Sequence, residues 1–179
     1  MESPPRILFV CTANICRSPT AELLLLEWVG RRHVEAQVLS AGLLPPGREP
    51  PEKLSKILLS RGLDLAAHRS RQLSESVIAN SDIVFTMERS HAREAAVLCP
   101  DAIERIMPLK VAARVHVAPG AGIDHVIKEV EARRTPADLL GMSTGDDVAD
   151  PFGRSKRHYR QAIEEIDRLV SRVAQTIWG

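Results

Sequence analysis

The stretch RILFVCTANICRSPTAE, Arg6–Glu22, decides the fold. Arg6–Val10 is a short, mostly apolar run ending at Cys11, and it reads as a buried strand. The pattern then predicts a helix over residues 19–33. Pro19 is tolerated in a first helical turn, and Glu22 suits the positive end of the helix dipole. Four consecutive leucines, Leu23–Leu26, predict contacts on more than one side of that helix. A strand feeding a helix through a short loop is the opening of a parallel α/β sheet.

The rest of the chain extends that pattern. Gln37–Ser40 (QVLS) is a second strand, stopped at Ala41-Gly42, and Pro50–Arg61 is helical with Gly62 as its stop. Asp82–Thr86 (DIVFT) is a third strand, a helix follows over Ser90–Leu98, and Ile103–Ile106 is a candidate fourth strand. Tyr159, Ile163, Ile166, Val170, Val173 and Ile177 recur at three- and four-residue steps with charged residues between them. They predict an amphipathic helix that closes the domain. GLLPPGREPP, residues 42–51, is a proline-rich loop, and a short helix near Ile123–Arg133 places Ile123, Val126, Ile127 and Val130 on one face.

The bulk numbers fit one globular domain over the 179 residues, with 44% apolar and 26% charged residues. A net charge of +1 argues against nucleic acid or a membrane surface as partner. No run of about 18 apolar residues is present. MESPPRILFV carries Glu2 and two prolines before a very short apolar run, so it is not expected to be an export signal. Three cysteines then point to a reducing cytoplasm rather than a disulfide framework.

The loop at residues 11–18 admits several chemistries. Two buried thiols packing as small hydrophobes is the plainest. Zinc is disfavoured because a second cysteine pair is missing, and no metal is expected. A nucleophile loop explains more of the residues. The loop sits at the carboxyl end of a strand and at a helix N-terminus, where backbone N–H groups and the dipole favour an anion. That field favours a thiolate at Cys11, and Arg17 has the planar fork that grips two phosphate oxygens. Cys-x₅-Arg at this place points to phosphoester cleavage, and the G-x-x-x-x-G-K-[ST] nucleotide signature is absent. The leaving group needs a proton, and Asp150, held before Pro151 in DDVADPFGRS, is the best-placed acid.

VCTANICRSPTAE (Val10–Glu22) together with DPF (Asp150–Phe152) resembles the low-molecular-weight protein-tyrosine-phosphatase family. SAG at 40–42, RGLDLAAHRSRQL at 61–73 and SDIVFTMERSH at 81–91 fall in the family's order. The resemblance implies a four-stranded parallel sheet flanked by helices on both faces, a phosphorylated protein or peptide substrate, inorganic phosphate as product, no cofactor and a monomer. It implies Cys11 as nucleophile forming a phosphocysteine, Arg17 on the phosphoryl oxygens and Asp150 as general acid and base. Thr12, Ala13, Asn14, Ile15, Cys16, Arg17 and Ser18 would wrap the phosphate, while Asn14, Ser18, Ser40 and His68 would support the loop. Cys16 would be a guard thiol that traps oxidised Cys11 as a disulfide.

The chain departs from that family at several points. Ala13 stands where glycine is common, which would be strained if the position needs a positive φ. The pocket walls are poor in aromatics, with Ile15, Leu43, Leu44 and Phe152 as candidates. A related branch acts on phosphoarginine and shares DPFG, but carries threonine at the position of Ile15. The expected substrate is therefore phosphotyrosine, with phosphoarginine as alternative. A thioredoxin-linked arsenate reductase shares the loop but needs a further cysteine pair, and only Cys99 remains. A non-catalytic phosphotyrosine-binding module is disfavoured by the intact Cys11, Arg17 and Asp150. Residues 114–142 are expected to be a family-atypical insertion before the Asp-Pro loop.

Overall fold

The computed structural model describes residues 3–135, 138 and 144–179. Its sheet has four parallel strands: β1 (Arg6–Cys11), β2 (Gln37–Gly42), β3 (Ile83–Thr86) and β4 (Ile106–Pro108), in the order β2-β1-β3-β4. The helices are α1 (Arg17–Arg32), α2 (Glu52–Leu59), α3 (Glu75–Ala79), α4 (Arg89–Leu98), α5 (Leu109–Ala113), α6 (Ile123–Glu131) and α7 (Lys156–Trp178). A parallel pair needs a crossover, and α1 supplies the one from β1 to β2. No helix among the described residues is long and apolar enough to cross a membrane.

The side-chain alternation of the strands divides the core. Ile7, Phe9, Ile83 and Phe85 face one layer with α1, α2, α5, α6 and α7. Leu8, Val10, Val84 and Ile106 face a thinner layer with Ile78 of α3 and Ala95 of α4. Both faces of β1 are therefore covered, as a central parallel strand requires. Phe9 and Phe85 stack as a tilted pair with ring centroids 5.7 Å apart. Along α7, Tyr159, Ile163, Ile166, Val170, Val173 and Ile177 are all buried, at the spacing expected from the sequence. Trp178 meets Trp28 of α1 at 5.9 Å, with the Arg32 guanidinium 4.0 Å above the Trp28 ring. On α6, Val126 and Val130 are buried and Ile123 and Ile127 pack against the same core. Within the 114–142 segment, residues 136–137 and 139–142 lie outside the described residues.

Three elements differ from expectation, one of them α5, a short helix not foreseen in the sequence. The fourth strand is Ile106–Pro108, and residues 100–105 form a 3₁₀ turn instead. Pro100 at its first position presets a helical φ, which favours the turn over a strand. Helix α3 was not foreseen, although Ser74 caps it by accepting from the Val77 N–H at 3.4 Å, a contact worth ~1 kcal/mol.

Parallel register sets the site. β1 and β2 end together, with Cys11 opposite Gly42 and Phe9 opposite Ser40. A Cβ on Gly42 would stand 2.7 Å from the Asn14 nitrogen and 2.8 Å from the Ala13 carbonyl carbon. Only glycine lets the end of β2 lie this close to the loop that follows β1.

Candidate active site

Residues 12–16 curl over the carboxyl end of β1 and enter α1 at Arg17. Cys11 Sγ accepts the Asn14 N–H at 3.3 Å and lies 3.0 Å from Ser18 Oγ. The Asn14 N–H points a donor at the sulfur, while the Ser18 hydroxyl also reaches the Ala41 carbonyl at 3.3 Å. The loop turns through a left-handed residue, but that residue is Asn14, at φ 53°, and Ala13 carries no positive φ. Asparagine tolerates this conformation better than most residues, so alanine at position 13 brings no such penalty.

Asn14 is the hub of the support. Its Nδ2 donates to Ser40 Oγ at 2.7 Å and to Ser18 Oγ at 2.9 Å, and its Oδ1 accepts the Arg71 N–H at 2.8 Å. His68 Nε2 donates to the Asn14 carbonyl at 2.8 Å. Asn14, Ser18 and Ser40 are all buried. The expected four supporting residues thus meet as one network. Ser40 in turn donates to Glu22, which also faces Arg71 at 3.6 Å. Glu22 lies beyond the first turn of α1, so it serves this network rather than the helix dipole.

Arg17 is 2% exposed and reaches across to the ends of the neighbouring elements. Its Nη1 pairs with Glu88 and donates to the Val148 carbonyl at 3.0 Å. Its Nη2 donates to Asp150 Oδ2 at 2.9 Å and to Thr12 Oγ1 at 3.2 Å. Asp150 also accepts the Phe152 N–H at 3.0 Å, which fixes its carboxyl at the loop tip. Thr12 Oγ1 lies 2.9 Å from Nε2 of buried His91. Burial pushes His91 down to about 4, against which nearby Glu88 acts in the opposite sense. Glu88 is held below the usual glutamate range by its hydrogen bond to Arg17 and the charges of His91 and Arg17, which outweigh its burial.

These groups border a cavity of about 160 Å³ lined by Cys11, Thr12, Ala13, Ile15, Cys16, Arg17, Leu44, Arg48, Asp150 and Phe152. Ile15, Leu44 and Phe152 stand where the sequence placed a pocket wall. Leu43 does not line the cavity; it packs against the opposite face of the sheet, with Val10 and Ala41. Both leucines lie in the bend that follows β2, which turns Leu44 to the cavity and Leu43 away from it. Cys16 is buried, and burial pushes its thiol up to about 12, with the charges of Asp150 and Cys11 adding to the effect. It is therefore a neutral thiol beside the site.

A model of the low molecular weight phosphotyrosine protein phosphatase family matches residues 6–116. The chain belongs to that family. A protein-arginine-phosphatase of Geobacillus stearothermophilus is 30% identical over 175 residues, 97% of each chain. The low molecular weight protein-tyrosine-phosphatase Wzb of Escherichia coli K12 is 38% identical over 104 residues, covering 56% of this chain and 67% of its own. Among solved structures, a low molecular weight protein tyrosine phosphatase from T. tengcongensis superposes with a TM-score of 0.74 at 25% identity, over 97% of this chain and 99% of that one. The YwlE arginine phosphatase of G. stearothermophilus superposes at 0.69 and 30% identity, over 96% and 91%. The chain is thus a phosphatase of this α/β family, and a phosphoprotein is its class of substrate.

The sequence pointed to neither Glu88, His91 nor Arg48. Glu88 and His91 lie in TMERSH just after β3, whose carboxyl end adjoins that of β1. Their signal was an acid and a histidine immediately after a central strand, where parallel sheets place functional groups. Arg48 sits on the proline-rich loop, whose path no local pattern reveals.

Proposed function

We propose that this phosphatase hydrolyses phosphotyrosine in proteins through a phosphocysteine on Cys11. The observation that carries the reading is the convergence of Cys11 Sγ, Arg17 and Asp150 on one cavity with apolar walls. Cys11 sulfur attacks phosphorus in line with the ester oxygen, forming the S–P bond as the P–O bond breaks. Arg17 and the loop of residues 12–18 hold the equatorial oxygens, whose charge is greatest in the transition state. A phosphoryl dianion competes for Arg17 Nη2 and so releases the Asp150 carboxylate, which takes up a proton from solvent and, as the carboxylic acid, gives it to the departing phenolate. Asp150 then takes a proton from the water that attacks phosphocysteine, yielding inorganic phosphate and restoring the thiolate. No cofactor enters these steps.

Substrate choice follows from the walls. Ile15, Leu44 and the exposed Phe152 ring suit a flat aromatic group, and Ile15 gives no hydroxyl to a guanidinium. Arg48 adds a cation at the rim, which attracts the phosphoryl dianion and acidic flanking residues and gains less from a substrate whose own guanidinium offsets that charge. Phosphoarginine is the second reading, favoured by the DPFG sequence and by the full-length similarity to a protein-arginine-phosphatase. Matched phosphotyrosine and phosphoarginine peptides decide between them. The expected result is a kcat/KM at least about tenfold higher for phosphotyrosine, and a preference for phosphoarginine overturns it.

The remaining assignments rest on the same site. The protein acts as a monomeric single domain, residues 1–179, with 114–142 as a family-atypical insertion in its sequence. A thiolate nucleophile requires a reducing compartment, the cytoplasm. Cys16 guards Cys11: a sulfenic acid on Cys11 condenses with the Cys16 thiol to give a disulfide and water.

A further inference from the structure

The acid side of the site is built from two segments, residues 86–89 after β3 and residues 146–150 before the Asp-Pro turn. Arg89, the first residue of α4 and 14% exposed, fastens one to the other. Its Nε donates to Asp146 Oδ2 at 2.7 Å, and its Nη2 bonds the same oxygen. Its Nη1 donates to the Asp138 carbonyl at 2.7 Å and its Nη2 to Asp138 Oδ1 at 2.9 Å. Its backbone N–H donates to Asp147 Oδ1 at 2.9 Å. Asp146 is buried and is also bonded by Arg114. Every nitrogen of the guanidinium is engaged, a geometry that a planar fork fills completely and an ammonium only in part.

Further rungs lead from this clasp toward Asp150. The Val148 N–H donates to the Met87 carbonyl at 2.8 Å, and the Val148 carbonyl accepts from Arg17 Nη1. Asp150 itself is held by Arg17 Nη2. The Arg17 rungs are the ones a bound phosphoryl group competes for, because the same guanidinium must turn its donors to the phosphate. The clasp at Arg89 makes no such demand, so it holds the strap in register when Asp150 has let go of Arg17.

We propose that Arg89 is a positioning residue for proton transfer: through Asp146 and Asp147 it keeps the carboxyl of Asp150 at the leaving-group oxygen during turnover. The inference rests on Asp150 being the general acid. It predicts a loss that depends on how badly the leaving group needs a proton, whereas a merely structural residue would slow all substrates alike.

The test measures kcat/KM, which reports the steps through release of the leaving group, for phenyl phosphate and for p-nitrophenyl phosphate. Phenolate leaves poorly without a proton, and p-nitrophenolate leaves readily. Arg89→Met should lose about 30-fold with phenyl phosphate and less than about threefold with p-nitrophenyl phosphate. Inhibition by inorganic phosphate should stay within about twofold of the parent, and Arg89→Lys should recover part of the loss. Equal losses on both substrates, or weakened phosphate inhibition that accounts for the loss, overturn the proposal. If melting curves show that Arg89→Met does not fold, Asp147→Ala decides by the same ratio of substrates. Asp150→Ala runs alongside as the reference. If it shows no leaving-group dependence, the acid assignment itself fails and the clasp fails with it. If it shows the dependence and Arg89→Met does not, only the clasp fails.

Discussion

The two sides of the active site are held by different forces. The phosphate loop is sealed: Asn14, Ser18, Ser40 and Cys16 are buried, and short hydrogen bonds join the first three. The acid side is a charged strap with an open end. Asp150 is 45% exposed and Phe152 60% exposed, and ion pairs through Arg17 and Arg89 hold the strap down. A buried hydrogen-bond network has one arrangement and is preorganised for a phosphoryl group whose shape never varies. The Arg17 and Arg89 guanidiniums are largely buried, so only the Asp150 end of the strap is open to solvent, which fits the proposed role of Asp150 in meeting different leaving groups and then water.

The largest effect should come from the sealed side. Cys11→Ser should remove turnover while leaving binding of a phosphotyrosine peptide measurable by calorimetry, because serine keeps the cradle but lacks a thiolate. Residual turnover comparable to the parent would break the division between the two sides. Next is Asn14→Ala, which takes a donor from the Ser18 and Ser40 hydroxyls and leaves the Arg71 N–H without its acceptor. Each buried group left unpaired costs about 1–3 kcal/mol, and alanine at φ 53° adds ~1 kcal/mol. Chemical denaturation should show the loss together with a fall in kcat; a stable variant with full activity would mean the cradle does not depend on its hub.

A pH experiment probes the seam between the sides. His91 falls from 6.5 in a free chain to about 4 here, mainly through burial. Below pH 6.5 the unfolded chain takes up a proton that the folded protein refuses, so stability drops as pH falls toward 4. His91→Gln should flatten that part of the melting-temperature profile, and an unchanged slope would remove His91 as its source. The smallest effect is expected at the rim. Arg48 is exposed, so Arg48→Glu should raise KM for an acidic phosphotyrosine peptide about threefold at low salt, with kcat unchanged. An effect on kcat instead would place Arg48 within the chemistry.

The sequence by itself determined the local part of the sealed side, residues 11–18, while Ser40, His68 and Arg71 reach it only through the fold. Cys11, Asn14, Arg17 and Ser18 lie within one turn of chain, and the chemistry of a strand-to-helix loop follows from residue type and spacing. Asp150 stood out in the sequence as a candidate acid because Pro151 marks a rigid loop, and the fold brings it to the same cavity as Cys11 and Arg17. The 3₁₀ turn at 100–105 and the β4 boundary were not legible, since a short apolar run fits either state and tertiary packing chooses. The sheet order β2-β1-β3-β4 decided the rest. It brought the end of β3 beside the end of β1, so that Glu88 meets Arg17, His91 meets Thr12, and Arg89 meets Asp146 and Asp147. These partners are 57 to 79 positions apart in the chain. Only chain crossovers and burial bring them together, and neither leaves a local pattern to read.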